Sequence, residues 1–97
     1  MDEQIKEVLW QMEHIRFVSL ETGNYCLIVE DTELNDHVED FLWDEYEYNA
    51  TRVVMDTPAS IPVYYNYLPS DLPAGRFLES LKLLDPVEVE RIFRLNN

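Results

Sequence analysis

The chain has few of the residues that crosslink a protein, bend its backbone or carry positive charge. Its 97 residues include one cysteine, two glycines and only seven lysines and arginines. A single thiol, Cys26, excludes an internal disulfide and a zinc site built on paired thiolates. No run of about 18 apolar residues indicates a transmembrane helix, and the residues after Met1 lack the character of a secretory signal. We therefore expect a cytoplasmic protein.

The sequence also lacks the motifs of common enzymes and metal proteins. No glycine-rich phosphate loop, nucleophile elbow or regular metal-ligand spacing occurs in it. Residues 31–36 place oxygen ligands at alternate positions, as a calcium loop does, but Asp36 stands where that loop needs glycine and Leu42 where it needs glutamate. We interpret His37 as a surface histidine. The sequence thus predicts a non-enzymatic protein without catalytic residues, metal or cofactor.

Negative charge and apolar side chains are both abundant. Twenty Asp and Glu residues give a formal charge of −13 at pH 7, while 46% of the residues are hydrophobic and 12% aromatic. That much apolar material predicts a single folded domain over residues 1–97 rather than a disordered acidic tail. Because carboxylates repel phosphates, direct binding to nucleic acid or to an anionic membrane is not expected. The expected partner is a basic protein of unknown identity.

Apolar periodicity in the first half of the chain predicts two helices and a hairpin. The spacing of Ile5, Val8 and similar residues predicts a helix from Asp2 to His14. The stretches 16–20 and 25–30 are rich in β-branched and aromatic residues and flank a turn, which predicts a β-hairpin. Thr32 or Asn35 would begin the next helix. Its expected buried residues are Leu34, Val38, Phe41, Leu42 and Tyr46.

The second half of the chain predicts one or two strands and two more helices. Residues 51–55 are expected to be a strand, and residues 63–67 an edge strand or extended loop because prolines flank them. Phe77 would lie on the buried side of the next helix. Asp85 would cap the last helix, with Glu88 reaching back to the Asp85 backbone. The expected fold class is α+β with two layers, a small antiparallel sheet packed by about four helices in the order α-β-β-α-β-(β)-α-α.

Half of the acidic residues lie in one segment of the chain. Residues 21–48 contain ten Asp and Glu and no Lys or Arg. On a helix with about 100° per residue, five of the acids share one face over about 21 Å. Such like-charge neighbours destabilise a helix by about 0.2–0.5 kcal/mol per pair, and no cation in the segment offsets this cost. The predicted partner-binding residues are Glu33, Asp36, Glu39, Asp40, Trp43, Asp44 and Glu47.

Three functions fit this acidic stripe. The first is an inhibitor that blocks the basic nucleic-acid-binding surface of a target by phosphate mimicry, by analogy of charge with phage antidefence and anti-CRISPR proteins. The second is an immunity protein or antitoxin that neutralises a basic nuclease toxin. The third is an acidic structural or adaptor subunit of an oligomer, in which the stripe is only a solvated face.

Overall fold

Five antiparallel strands and three helices make up the described part of the chain. The computed structural model describes residues 4–42, 50–57 and 60–96. In chain order the elements are β1 (Ile5–Met12), β2 (Ile15–Leu20), β3 (Tyr25–Glu30), α1 (Thr32–Leu42), β4 (Ala50–Val54), β5 (Val63–Leu68), α2 (Ala74–Leu81) and α3 (Pro86–Asn96). The strands form one sheet in the order β1-β2-β3-β5-β4. None of the described helices combines the length and the apolar character needed to cross a membrane.

The first element is a strand, so the helix predicted over residues 2–14 is wrong. β1 pairs with β2, and the register shifts between Ile5 and Glu7 and again between Val8 and Trp10. At each shift two residues of β1 oppose one of β2, as in a β-bulge, which interrupts the alternation of side chains between the two faces. Apolar residues then recur at steps of three and four, and this spacing imitates a helix. The predicted element order with about four helices is replaced by β-β-β-α-β-β-α-α among the described residues.

Several other predicted elements are confirmed. β2 and β3 form the expected hairpin, and Gly23 in its turn has a φ of 95°, a value that favours glycine. α2 and α3 lie where the sequence predicts them. Asp85 caps α3, since its carboxylate accepts a hydrogen bond from the Val87 N–H at 3.0 Å. Glu88, however, bonds Arg91 on its own helix, so its predicted return to the Asp85 backbone is wrong.

The strand predicted at the sheet edge lies inside the sheet. β5 pairs with β3 on one side and with β4 on the other. Pro62 and Pro69 lie just outside the strand, so every residue within it keeps a backbone N–H for pairing. The described edges of the sheet are β1 and β4.

The main core lies between one face of the sheet and the helices. Phe17 is fully buried at its centre and packs against Tyr25 and Phe77, with ring centroids 5.6 and 4.8 Å away. A smaller apolar cluster, which includes Val18 and Ile28, lies on the opposite face. The buried members of the main core are Ile15, Phe17, Leu27, Val29, Leu34, Val38, Leu42, Leu68, Leu72, Phe77, Leu81, Leu84 and Val89.

A buried side-chain amide joins four elements of the fold. Asn66 of β5 is 0% exposed, and its Nδ2 donates to the Leu27 carbonyl at 3.1 Å and to Asn35 Oδ1 at 2.9 Å. Its Oδ1 accepts a hydrogen bond from Thr51 Oγ1 at 2.9 Å. The amide therefore connects β5 with β3, α1 and β4. A buried polar group contributes to stability only while its partners remain in place.

We expect Asn66→Ala to lower the free energy of unfolding by at least about 2 kcal/mol, because it leaves the buried Asn35 side chain without its donor. Asn24→Ala in the partly exposed β2–β3 turn is the control, with an expected change within about 0.5 kcal/mol. Urea unfolding followed by circular dichroism measures both. Equal effects of the two substitutions would contradict the role given to this network.

Candidate partner-binding groove

The chain enters α1 through a tight turn at Asp31. This residue has a φ of 89° and is 5% exposed, and its carboxylate accepts a hydrogen bond from the Leu34 N–H at 3.1 Å. Asp31 is therefore the N-terminal cap, and the predicted caps Thr32 and Asn35 are wrong. The Thr32 hydroxyl instead bonds the Tyr64 hydroxyl at 2.8 Å.

One face of α1 is buried on the sheet, and this burial decides which side chains face outward. Leu34 and Val38 are fully buried and Leu42 is 2% exposed. Phe41, predicted to be buried, is 43% exposed, because at about 100° per residue it lies at the border of the buried arc. Tyr46, also predicted to be buried, lies outside the described residues.

Three of the predicted partner-binding residues lie together on the outer face of α1. Glu33, Asp36 and Asp40 are all exposed, and we call them the acidic wall. They span about 10 Å along the helix axis at about 1.5 Å per residue. Glu39 lies on the flank and is partly buried. The other predicted residues, Trp43, Asp44 and Glu47, lie outside the described residues.

The acidic wall forms one side of a groove between α1 and α3. The groove has a volume of about 440 Å³, and His37 also lines its α1 side. Ile92 and Leu95 of α3 form the other side, where Leu95 is 70% exposed. Helical periodicity predicts Ile92 on the buried side of the last helix, but it does not predict that this side faces α1. Leu95 lies three residues beyond Ile92 and hence on the same helix face.

The cations of α3 pair with acids of α3 and not with the acidic wall. Arg91 contacts Glu88 through two hydrogen bonds, and Arg94 Nε donates to Glu90 Oε1 at 2.6 Å. Within the described ranges, no lysine or arginine forms an ion pair with the acidic wall. The three carboxylates of the wall therefore face the groove without a cationic partner from the described part of the chain.

Two glutamates, one on each helix that borders the groove, have pKa values shifted in opposite directions. Burial raises the pKa of the Glu39 carboxyl, the charge of Asp36 adds to this rise, and a hydrogen bond from Asn35 opposes it. The hydrogen bond from Arg91 lowers the pKa of Glu88. The fold thus disfavours the ionised form of the Glu39 carboxyl and favours the ionised form of the Glu88 carboxyl.

The groove combines the two environments that a long cationic side chain requires. The aliphatic stem of an arginine or lysine can lie against Ile92 and Leu95 while its charged end reaches the acidic wall. Comparison with known proteins identifies no relative, since no family model, curated protein or solved structure matches the chain. A function is therefore proposed from the chemistry of the groove.

We expect Glu39→Gln to stabilise the protein by up to about 0.5 kcal/mol at about pH 7, because it removes a like charge from α1. A raised pKa in the folded state contributes stability at acid pH that is lost as the pH rises through that pKa. The gain should therefore vanish below the ordinary pKa of glutamate, at about pH 3. Urea unfolding at about pH 7 and about pH 3 measures this gain in stability.

Glu88→Gln is the matched variant and should have the opposite sign. A lowered pKa contributes stability above the ordinary pKa of the group that is lost as the pH falls through the folded value. Glu88→Gln should therefore destabilise the protein at neutral pH and have little effect in acid. Shifts of the same sign in both variants would contradict the assignment.

Proposed function

We propose that this protein is a non-enzymatic inhibitor that binds a basic protein through the acidic wall and covers that partner's nucleic-acid-binding surface. One observation supports the proposal above the others. Three exposed carboxylates share one side of a groove, and no cation of the described residues pairs with them. We further propose that the protein acts in the cytoplasm, where its single cysteine stays reduced.

The carboxylates of the groove can orient a cationic side chain of the partner. A partner's guanidinium can bond a carboxylate through two parallel N–H groups, and such charge-assisted bonds are stronger than neutral ones. The acids of the wall are three and four residues apart, so their charges repeat along the helix as phosphates repeat along a strand. A basic surface that binds phosphates can therefore bind the wall in their place.

The net charge supports rapid and competitive association. At −13 the chain attracts a basic surface over a distance set by the ionic strength, and such steering raises the association rate. Exposed charges are screened as salt is added, with a Debye length of about 8 Å under physiological conditions. Binding is expected to weaken steadily with added salt.

The double variant Asp36→Lys/Asp40→Lys tests the groove directly. Each substitution removes a charge-assisted contact worth about 1.5–3 kcal/mol, so the pair should weaken partner binding by at least about 100-fold. The immobilised wild-type protein is used to capture its partner from the cells that produce it. The purified partner is then titrated against wild type and variant by calorimetry.

The control variant is Glu21→Lys/Asp71→Lys, which makes the same change in net charge at exposed positions outside the groove. It should keep most of the affinity, while the wild-type protein should displace nucleic acid from the purified partner. If the groove variant still binds, or if partner and nucleic acid bind together with the protein, the proposal is wrong.

A further inference from the structure

A second group of ligand-type side chains lies between the β1–β2 turn and α3. His14 has a φ of 71° in this turn. Its ring stacks on Phe93 of α3, with the ring centroids 3.5 Å apart and the planes inclined by 8°. The stacking fixes the imidazole against the helix, and only 18% of the His14 side chain is exposed.

Both nitrogens of this ring face carboxylate oxygens. Nδ1 lies 3.1 Å from Glu30 Oε1. Nε2 lies 3.2 Å from Glu90 Oε2 and 4.0 Å from Glu13 Oε2. The ligand atoms of Glu13, His14 and Glu90 all lie within 4.8 Å of one another.

This arrangement is suited to a cation. A neutral imidazole has one N–H, and ionised carboxylates only accept hydrogen bonds. If Nδ1 donates its hydrogen to Glu30, Nε2 and the nearby oxygens of Glu13 and Glu90 are all acceptors. A metal ion between these groups can accept a lone pair from each of the three.

The distances fit a metal ion. Zinc bonds imidazole nitrogen and carboxylate oxygen at about 2.0–2.2 Å, which places neighbouring ligand atoms of a tetrahedral site about 3.4 Å apart. The separations of 3.2 and 4.0 Å from Nε2 bracket this value. The Glu13 side chain is 81% exposed and is therefore free to close the remaining gap of about 0.6 Å.

Neighbouring residues orient two of the ligands, which distinguishes this group from an ordinary cluster of surface acids. Histidines that bind metals usually donate the other ring N–H to a carboxylate or carbonyl, and Glu30 is placed to accept it here. Arg94 holds Oε1 of Glu90 at 2.6 Å, which directs Oε2 towards His14. The Glu13 side chain is 81% exposed, so water can reach this side of the group.

We propose that Glu13, His14 and Glu90 bind one first-row divalent metal ion such as Zn²⁺, with Glu30 and Arg94 as positioning residues and water in the fourth position. The sequence does not reveal this set, because Glu90 lies 76 positions from His14. The ion joins the β1–β2 turn to α3. This proposal does not depend on the function proposed for the acidic wall.

The test is calorimetric titration of the full chain with Zn²⁺ at neutral pH. We expect one equivalent to bind, and His14→Gln and Glu13→Gln each to reduce the affinity at least tenfold. Glu13→Gln is informative even if His14→Gln fails to fold, because the Glu13 side chain is largely exposed. Glu30→Gln should reduce the affinity by about 10–100-fold through loss of the outer hydrogen bond.

His37→Gln is the matched control, since it removes a histidine that lies beside the acidic wall, and it should bind Zn²⁺ as the wild type does. Zinc binding that survives His14→Gln, or that is lost in His37→Gln, would refute the site. Binding of Ca²⁺ as strong as that of Zn²⁺ would show that the carboxylates act without the imidazole. Failure of Zn²⁺ to bind at millimolar concentration would also refute the proposal.

Discussion

The packing of α1 on β3 and β5 is the constraint on which the rest of the structure depends. Leu34 and Val38 are completely buried, so the helix cannot rotate about its axis without exposing them. The residues on the opposite face must then point to solvent, and these are the acids of the wall. The buried turn at Asp31 and the amide of Asn66 hold the same helix at its start and along its side. The free energy gained by burying Leu34 and Val38 exceeds the cost of repulsion between the acids of α1.

The arginines of α3 are paired within their own helix. Arg91 and Arg94 each have a glutamate three or four residues earlier on α3, and these are the spacings at which helical side chains meet. Their charges are therefore matched within their own helix. The acidity of the outer face of α1 follows from its own sequence, and these pairs within α3 leave it without a cationic partner among the described residues.

The sequence predicts those parts of the fold that depend on local chemistry. The turn at Gly23 identifies the hairpin, and Asp85 with Pro86 identifies the start of α3. The sequence does not predict features that depend on contacts between distant residues. The bulges of β1 arise from its pairing with β2. β5 is an interior strand only because β3 and β4 lie on either side of it. Of the candidate site, Glu33, Asp36 and Asp40 follow from helical periodicity. Ile92, Leu95 and the carboxylates around His14 come together only in the fold.

The irregular edge strand β1 is poorly suited to pair with a strand of another molecule in concentrated solution. An added strand needs evenly spaced backbone donors and acceptors along the edge that it joins. The two bulges of β1 break that spacing, and the opposite edge of the described sheet, β4, is only five residues long. Among the described strands, neither edge is therefore a good template for another copy of the chain.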